Sequence, residues 1–261
     1  MRDRFDPKLG IRAIEGSLGF RYDKDVFGPA PELRTLGDIR ASLRDPDCQG
    51  PDPVYGIVMD VGRRQHRDEL ERRMLLFGVV TYAAGQLGDE PVRSQGHVHT
   101  VVPNCGWSPP EVFEIWEGRA IVYAQERAAD DPGRCVAVKA NPGDKVVVPP
   151  GWAHCVINGS TDSSMTFGAW CHRQYGFCYT DVRARGGLAW FPVLDAEKKI
   201  RWEPNPRYWP STLSLRQARV YAELGLEPGV TAYELFSKDP DALAWVADPG
   251  QRSELWHGFE I

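Results

Sequence analysis

Between Pro53 and Tyr179, apolar residues fall in short runs that Gly, Pro and Asp interrupt. They are VYGIVMDVG (54–62), LLFGVVTYAAG (75–85), HVHTVV (97–102), EVFEIWEG (111–118), AIVYAQE (120–126), CVAVKA (135–140), KVVVPP (145–150), CVING (155–159) and SMTFGAWC (164–171). These short runs are enriched in Val, Ile, Tyr, Phe and Trp, the composition of strands. Many short strands with regular turns predict an all-β sandwich or barrel. The polar stretch RRQHRDELERR (63–73) interrupts the series and reads as a helix-compatible insert between two strands.

Outside this stretch the pattern changes. Residues 1–50 are rich in Pro, Asp and Arg and read as an N-terminal arm with one short helix, ELRTLGDIRASLRD (32–45), where Leu33, Leu36, Ile39 and Leu43 recur at helical spacing. Residues 51–185 form the β-core. Residues 186–261 read as a helical appendage, with SLRQARVYAELGL (214–226) as a helix that Ser214 caps and Gly225 ends, and DPDALAWVAD (239–248) as a second. Its aromatics, among them Trp190, Trp202, Tyr208, Tyr221, Tyr233 and Phe236, need a surface to pack on, so the appendage is expected against the barrel.

Composition narrows the class. The 261 residues are 42% hydrophobic and 26% charged, ordinary for a globular chain. A net charge of −5 argues against nucleic acid as the main partner, which asks for a concentrated positive face. The N-terminus MRDRFDPKLG has no apolar core of a secretory signal, and no run reaches the length of a membrane span. Cys48, Cys105, Cys135, Cys155, Cys171 and Cys178 form no CxxC pair and read as reduced thiols in a cytoplasmic protein, with Cys155 and Cys171 close to the candidate site.

The chemistry concentrates in two segments. In SQGHVHTVVPNCGWSPPEVFEIWEG (94–118), His97 and His99 are one residue apart and point to the same face of a strand. Glu111 opens the next run; if it points inward with Phe113, then Glu114 points outward. In GDKVVVPPGWAHCVIN (143–158), Pro149, Pro150 and Gly151 stop one strand and turn the chain so that His154 starts the next. Three imidazoles and one carboxylate suit a divalent Fe, Mn, Ni, Co or Zn ion, with two positions left for paired oxygens of a substrate. Asn158 reads as a structural tie for that turn. His66 and His257 read as ordinary histidines, and His172 as a candidate for the pocket lining.

These segments resemble the two sequence motifs of the cupin superfamily. The second matches at Gly143, Pro149, Gly151, His154 and Asn158; the first matches in His97, His99, Glu111 and Gly118. It departs at Pro91, where a glycine is usual, and in the eleven residues between His99 and Glu111, a loop expected at the barrel mouth. The order VTYAAGQLGDEPVRSQGHVH, EVFE, PGDKVVVPPGWAHCVIN is similar to the cupin-type glucose-6-phosphate isomerases. That resemblance implies a double-stranded β-helix (jelly-roll barrel) and a homodimer. It implies His97, His99, Glu111 and His154 as metal ligands; Thr81, Ser94 and the Gly96 backbone as the phosphate cradle; and Tyr175, with Tyr55, near the sugar. Phe113 stands where the family often has Tyr.

Aldose–ketose isomerisation of a sugar phosphate needs an ion that grips adjacent oxygens and a base that carries a proton through an enediol, unless a hydride shifts directly. Glu111, alone or sharing the role with Tyr175, is the expected base. Arg93, Arg173 and Arg183 are candidate charge partners for the phosphate. A cupin acting on a modified sugar phosphate, a non-catalytic sugar-phosphate or metal binder, and an Fe(II)-dependent oxygenase are the competing expectations.

Overall fold

The computed structural model describes residues 4–261. Two layers form the barrel, antiparallel throughout except for one edge pair of the second. In the first, strands lie in the order Lys145–Val148, Glu111–Glu117, Met165–His172, Leu75–Tyr82, Tyr55–Met59 and Glu32–Arg34. The second runs Ala153–Asn158, Ala120–Gln125, Cys135–Ala140 and Leu213–Gln217. The fold is an all-β jelly roll, as expected. No helix among the described residues is long and apolar enough to cross a membrane.

Register decides what each face of the first sheet carries. Glu32 lies opposite Ile57 and Arg34 opposite Tyr55; Tyr55 lies opposite Tyr82, and Ile57 opposite Val80. Side chains alternate along each strand, so Arg34, Tyr55 and Tyr82 form one row on the inner face and Ile57, Val80 and Phe167 form the next. The outer face carries Phe77, Trp116 and Trp170. It is covered by the helix Ala232–Lys238, whose Tyr233 and Phe236 rings lie 5.5–5.6 Å from Phe77 and Trp170.

Three expectations need correction. The segment 32–45 is a strand, Glu32–Arg34, followed by a helix of only four residues, Leu36–Ile39, and a 3₁₀ turn. Thr35 and Asp38 make a reciprocal capping box that starts the helix late, and the free edge of Tyr55–Met59 takes the residues before it. The segment 214–226 is not a helix either. Leu213–Gln217 pairs in parallel with Cys135–Ala140, and only Ala222–Leu224 turns. Leu213 and Leu215 also fit a period of two, and the unpaired edge of the second sheet satisfies their backbone groups. The tail is therefore mixed: an antiparallel hairpin, Trp190–Leu194 with Ile200–Pro204, precedes the short helices.

Glu114 does face away from Glu111, but it does not meet solvent: it is 1% exposed. Its carboxylate accepts from the Ala232 backbone N–H at 3.0 Å and from Trp116 Nε1 at 3.2 Å, with Lys145 Nζ 3.5 Å away. Lys145 donates in turn to the carbonyls of Val230 and Glu227. Burial raises the Glu114 pKa, and the Lys145 charge opposes that rise.

Candidate metal centre and active site

The segment 92–97 runs along the free edge of Ala153–Asn158. Ser94 N–H donates to the Val156 carbonyl and Ser94 Oγ accepts from Val156 N–H. His97 and His154 then exchange both backbone hydrogen bonds, at 3.1 and 2.9 Å. This reciprocal pair sets the two imidazole rings 4.4 Å apart. The corner that delivers His154 is the expected one: Gly151 has φ +80°, a conformation that favours glycine. Asn158 ties it down, donating to the Ala83 and Ser163 carbonyls and accepting from Ser160 N–H.

The eleven-residue loop after His99 has a structural task. His99 Nδ1 lies 3.0 Å from the Pro109 carbonyl, and Ser108 Oγ donates to the His99 carbonyl at 2.6 Å. His154 Nδ1 likewise lies 3.0 Å from the Trp152 carbonyl. A carbonyl only accepts, so both Nδ1 atoms carry the proton, and in the neutral ring both Nε2 atoms present lone pairs. Those Nε2 atoms point at one carboxylate oxygen: Glu111 Oε2 is 3.2 Å from His99 Nε2 and 3.0 Å from His154 Nε2. His97 Nε2 is 4.0 Å away.

The four donor atoms lie within 4.8 Å of one another. Nε2 of both His97 and His99 is buried without a hydrogen-bond partner. Lone pairs facing a carboxylate repel unless a cation or an extra proton stands between them. Burial holds the His97 imidazole well below its ordinary pKa, and the His154 and His99 rings push it further down. At Glu111 burial acts upward, and only a positive charge beside it, a protonated His154 or His99 ring or a cation in their place, pulls the carboxyl below the usual carboxylate range. A buried carboxylate ringed by imidazole nitrogens, with the Pro109 and Trp152 carbonyls orienting two of the rings, fits a divalent metal.

The cavity beside this cluster is lined by Arg34, Tyr55, Tyr82, Ser94, Gln95 and Tyr179, over apolar Ile57, Val80, Phe113 and Phe167. Glu111 is the only carboxylate among the lining residues. Burial raises the phenol pKa of Tyr55, Tyr82 and Tyr179, so these hydroxyls act as donors. The free space is about 60 Å³, room for about two waters. Cys155 borders the cavity, and burial pushes its thiol up to about 12.

Several expected contacts fall elsewhere. Thr81 does not face the cavity. It lies between the inward residues Val80 and Tyr82, so it points to the opposite face, where its hydroxyl meets that of Thr166 at 3.0 Å. Gly96 sits between the lining residues Gln95 and His97, with φ +88°, and a Cβ there would come within 2.9 Å of Leu188. Tyr175 stands at the edge of the cluster, its ring 5.9 Å from His99, and is not in the cavity wall. Burial raises its pKa as well. His172 accepts from Gln174 N–H and does not line the cavity.

Among the arginines, Arg93 pairs with buried Glu90 and Arg173 with Asp60. Arg183 donates to Gln95 and lies over the Tyr179 ring. The guanidinium in the cavity is Arg34, which sequence reasoning missed.

Against known proteins, residues 34–208 match the family model described as glucose-6-phosphate isomerase (GPI). The chain belongs to the glucose-6-phosphate isomerase family. It is accordingly a sugar-phosphate isomerase. Similar curated relatives carry the name glucose-6-phosphate isomerase. The one from Thermococcus litoralis is 23% identical over 181 residues, covering 67% of this chain and 86% of its own length. The one from Pyrococcus horikoshii is 23% identical over 199 residues, covering 73% and 96%. Among solved structures, a hazelnut vicilin covers 50% of this chain and 33% of its own, at 10% identity and a TM-score of 0.36. The family match covers the cluster, the aromatic hairpin of the tail and every strand of the two sheets except the edge strands Glu32–Arg34, which it only touches, and Leu213–Gln217.

Proposed function

We propose that this isomerase interconverts glucose 6-phosphate and fructose 6-phosphate at a divalent transition metal held by His97, His99, Glu111 and His154. The observation that carries the reading is the convergence of three imidazole Nε2 atoms on one buried carboxylate oxygen. The names of the relatives support the choice of sugar. A bound divalent ion supplies Lewis acidity to oxygens on two adjacent carbons.

The chain's own residues do the rest. Arg34, at the open end of the Tyr55–Tyr82 row, offers a planar guanidinium to a phosphate. The protonated phenols of Tyr55, Tyr82 and Tyr179 and the hydroxyl of Ser94 donate to sugar or phosphate oxygens. Glu111 moves the proton: its oxygen not turned toward the imidazoles takes a proton from one carbon, exchanges it with solvent and delivers a proton to the neighbour. Tyr175, protonated and set back, orients the His99 side of the cluster. Phe113, Val80 and Phe167 form the apolar floor beneath the sugar.

The free volume of about 60 Å³ is smaller than a hexose phosphate, so Phe177, Tyr179 and Arg34 in the cavity wall have to move to admit the substrate. The test is to strip the protein with chelator, titrate back one divalent metal at a time, and follow fructose 6-phosphate consumption. Turnover that rises with metal to one equivalent per chain supports the reading. Full turnover in chelator-treated protein free of metal overturns it.

A further inference from the structure

Away from the metal cluster, a cavity of about 580 Å³ opens between the segment 40–46, the loop at 185–186 and the stretch 203–207. It shares no lining residue with the metal cavity. Four arginines line it, Arg40, Arg44, Arg185 and Arg207, against a single carboxylate, Glu203. Their pairing is uneven. Arg44 is matched by Glu203 at 3.0 Å and by Asp89. Arg185 pairs with Asp130 at 2.8 Å, yet its buried Nε has no hydrogen-bond partner. Arg40 is held by the carbonyls of Pro46 and Cys48, and Arg207 touches the Ala184 carbonyl at 3.4 Å. Neither of these two meets a carboxylate among the described residues.

Two guanidinium charges thus stand uncompensated in one concavity of a chain whose net charge is −5. Like charges held together cost free energy that a bound anion relieves. Guanidinium forks match phosphate oxygens in geometry as well as charge. The volume lies within the roughly 300–1,000 Å³ of small-molecule sites. Phe191, Pro204 and Pro206 supply an apolar wall for the part of a ligand that is not phosphate.

The wall is also preorganised. Arg44 N–H donates to Glu90 Oε2 at 2.7 Å, and Glu90 pairs with Arg93 at 2.6 Å. Arg93 donates to the carbonyls of Ser42 and Ser94. The segment that carries Arg40 and Arg44 is therefore bolted to the barrel, so binding does not have to order it. We propose that this cavity is a second anion site that takes a small phosphorylated molecule, gripped by Arg40, Arg44, Arg185 and Arg207.

Inorganic phosphate is the probe, titrated calorimetrically into the full-length chain. The variants are Arg207→Glu, which reverses one free charge of the proposed site, and Arg34→Glu, which reverses the charge in the metal cavity. The expected result is a binding event that Arg34→Glu keeps and Arg207→Glu weakens at least tenfold. A phosphate-dependent rise in Tm should be retained and lost in the same pattern. Arg207→Gln, a milder change at an exposed position, should weaken the same event and melt like the wild type without phosphate. No binding to the wild type overturns the proposal. So does binding that Arg34→Glu abolishes and Arg207→Glu leaves intact.

Discussion

The centre of the molecule rests on where the protons of two imidazoles sit. Two backbone carbonyls, Pro109 and Trp152, claim the Nδ1 protons of His99 and His154, so the Nε2 atoms reach Glu111 Oε2 with lone pairs. This makes Glu111 both the anionic member of the metal set and, among the described residues, the only carboxylate in the cavity wall. Glu111→Gln keeps the shape and removes the charge. Turnover is expected to fall about 10²–10⁴-fold, the usual range for loss of a general acid–base group, with the barrel's melting profile intact; steady-state kinetics at saturating metal check it. Arg34 has a different signature. Arg34→Ala removes a charged hydrogen bond to the phosphate, about 1.5–3 kcal/mol, so KM for the sugar phosphate should rise about 10–150-fold with little change in kcat. A fall in kcat alone would place the phosphate elsewhere.

At the scale of elements, the insertion between His99 and Glu111 is part of the site. Its end supplies the Pro109 carbonyl that orients His99 and the Ser108 hydroxyl that holds the His99 backbone. Replacing residues 101–110 with a short turn should cost about 10–100-fold in metal affinity, as loss of an outer-shell partner does, while near-ultraviolet circular dichroism stays native. Equal metal affinity would make the loop dispensable. The same scale explains what could be read from the chain. HxH parity, the Glu111 position and the Pro-Pro-Gly corner are local, so the cluster was legible. Thr81 was misread because Leu75–Tyr82 is buried on both faces, which leaves no alternation to tell Thr81 from Tyr82. Arg34 was hidden because Leu33, Leu36, Ile39 and Leu43 mimic a helix, and only pairing with Tyr55–Met59 reveals the strand.

The whole molecule is clasped by its tail. The turn 227–231 and the start of the helix Ala232–Lys238 dock on the outer face through Glu114 and Lys145, a pair buried on the strand that begins with Glu111 and on its neighbour. Glu114→Ala leaves the Lys145 charge buried without its partner and should destabilise the fold by about 3–5 kcal/mol, whereas replacing both with apolar residues of similar volume should recover most of that; urea unfolding distinguishes the two. This clasp could not be read from sequence, because Glu114 is solvated or buried according to what a segment more than a hundred residues away does. The parallel strand Leu213–Gln217 escaped for the same reason: its partner edge is remote in sequence. The central claim is that the metal-loaded cluster isomerises a sugar phosphate with Glu111 carrying the proton. Proton NMR of metal-reconstituted protein with fructose 6-phosphate in D₂O tests it most directly. Glucose 6-phosphate carrying deuterium at C2 is the predicted result. Absence of turnover in protein holding one metal per chain would contradict the assignment of substrate, and glucose 6-phosphate formed without deuterium would contradict the role of Glu111.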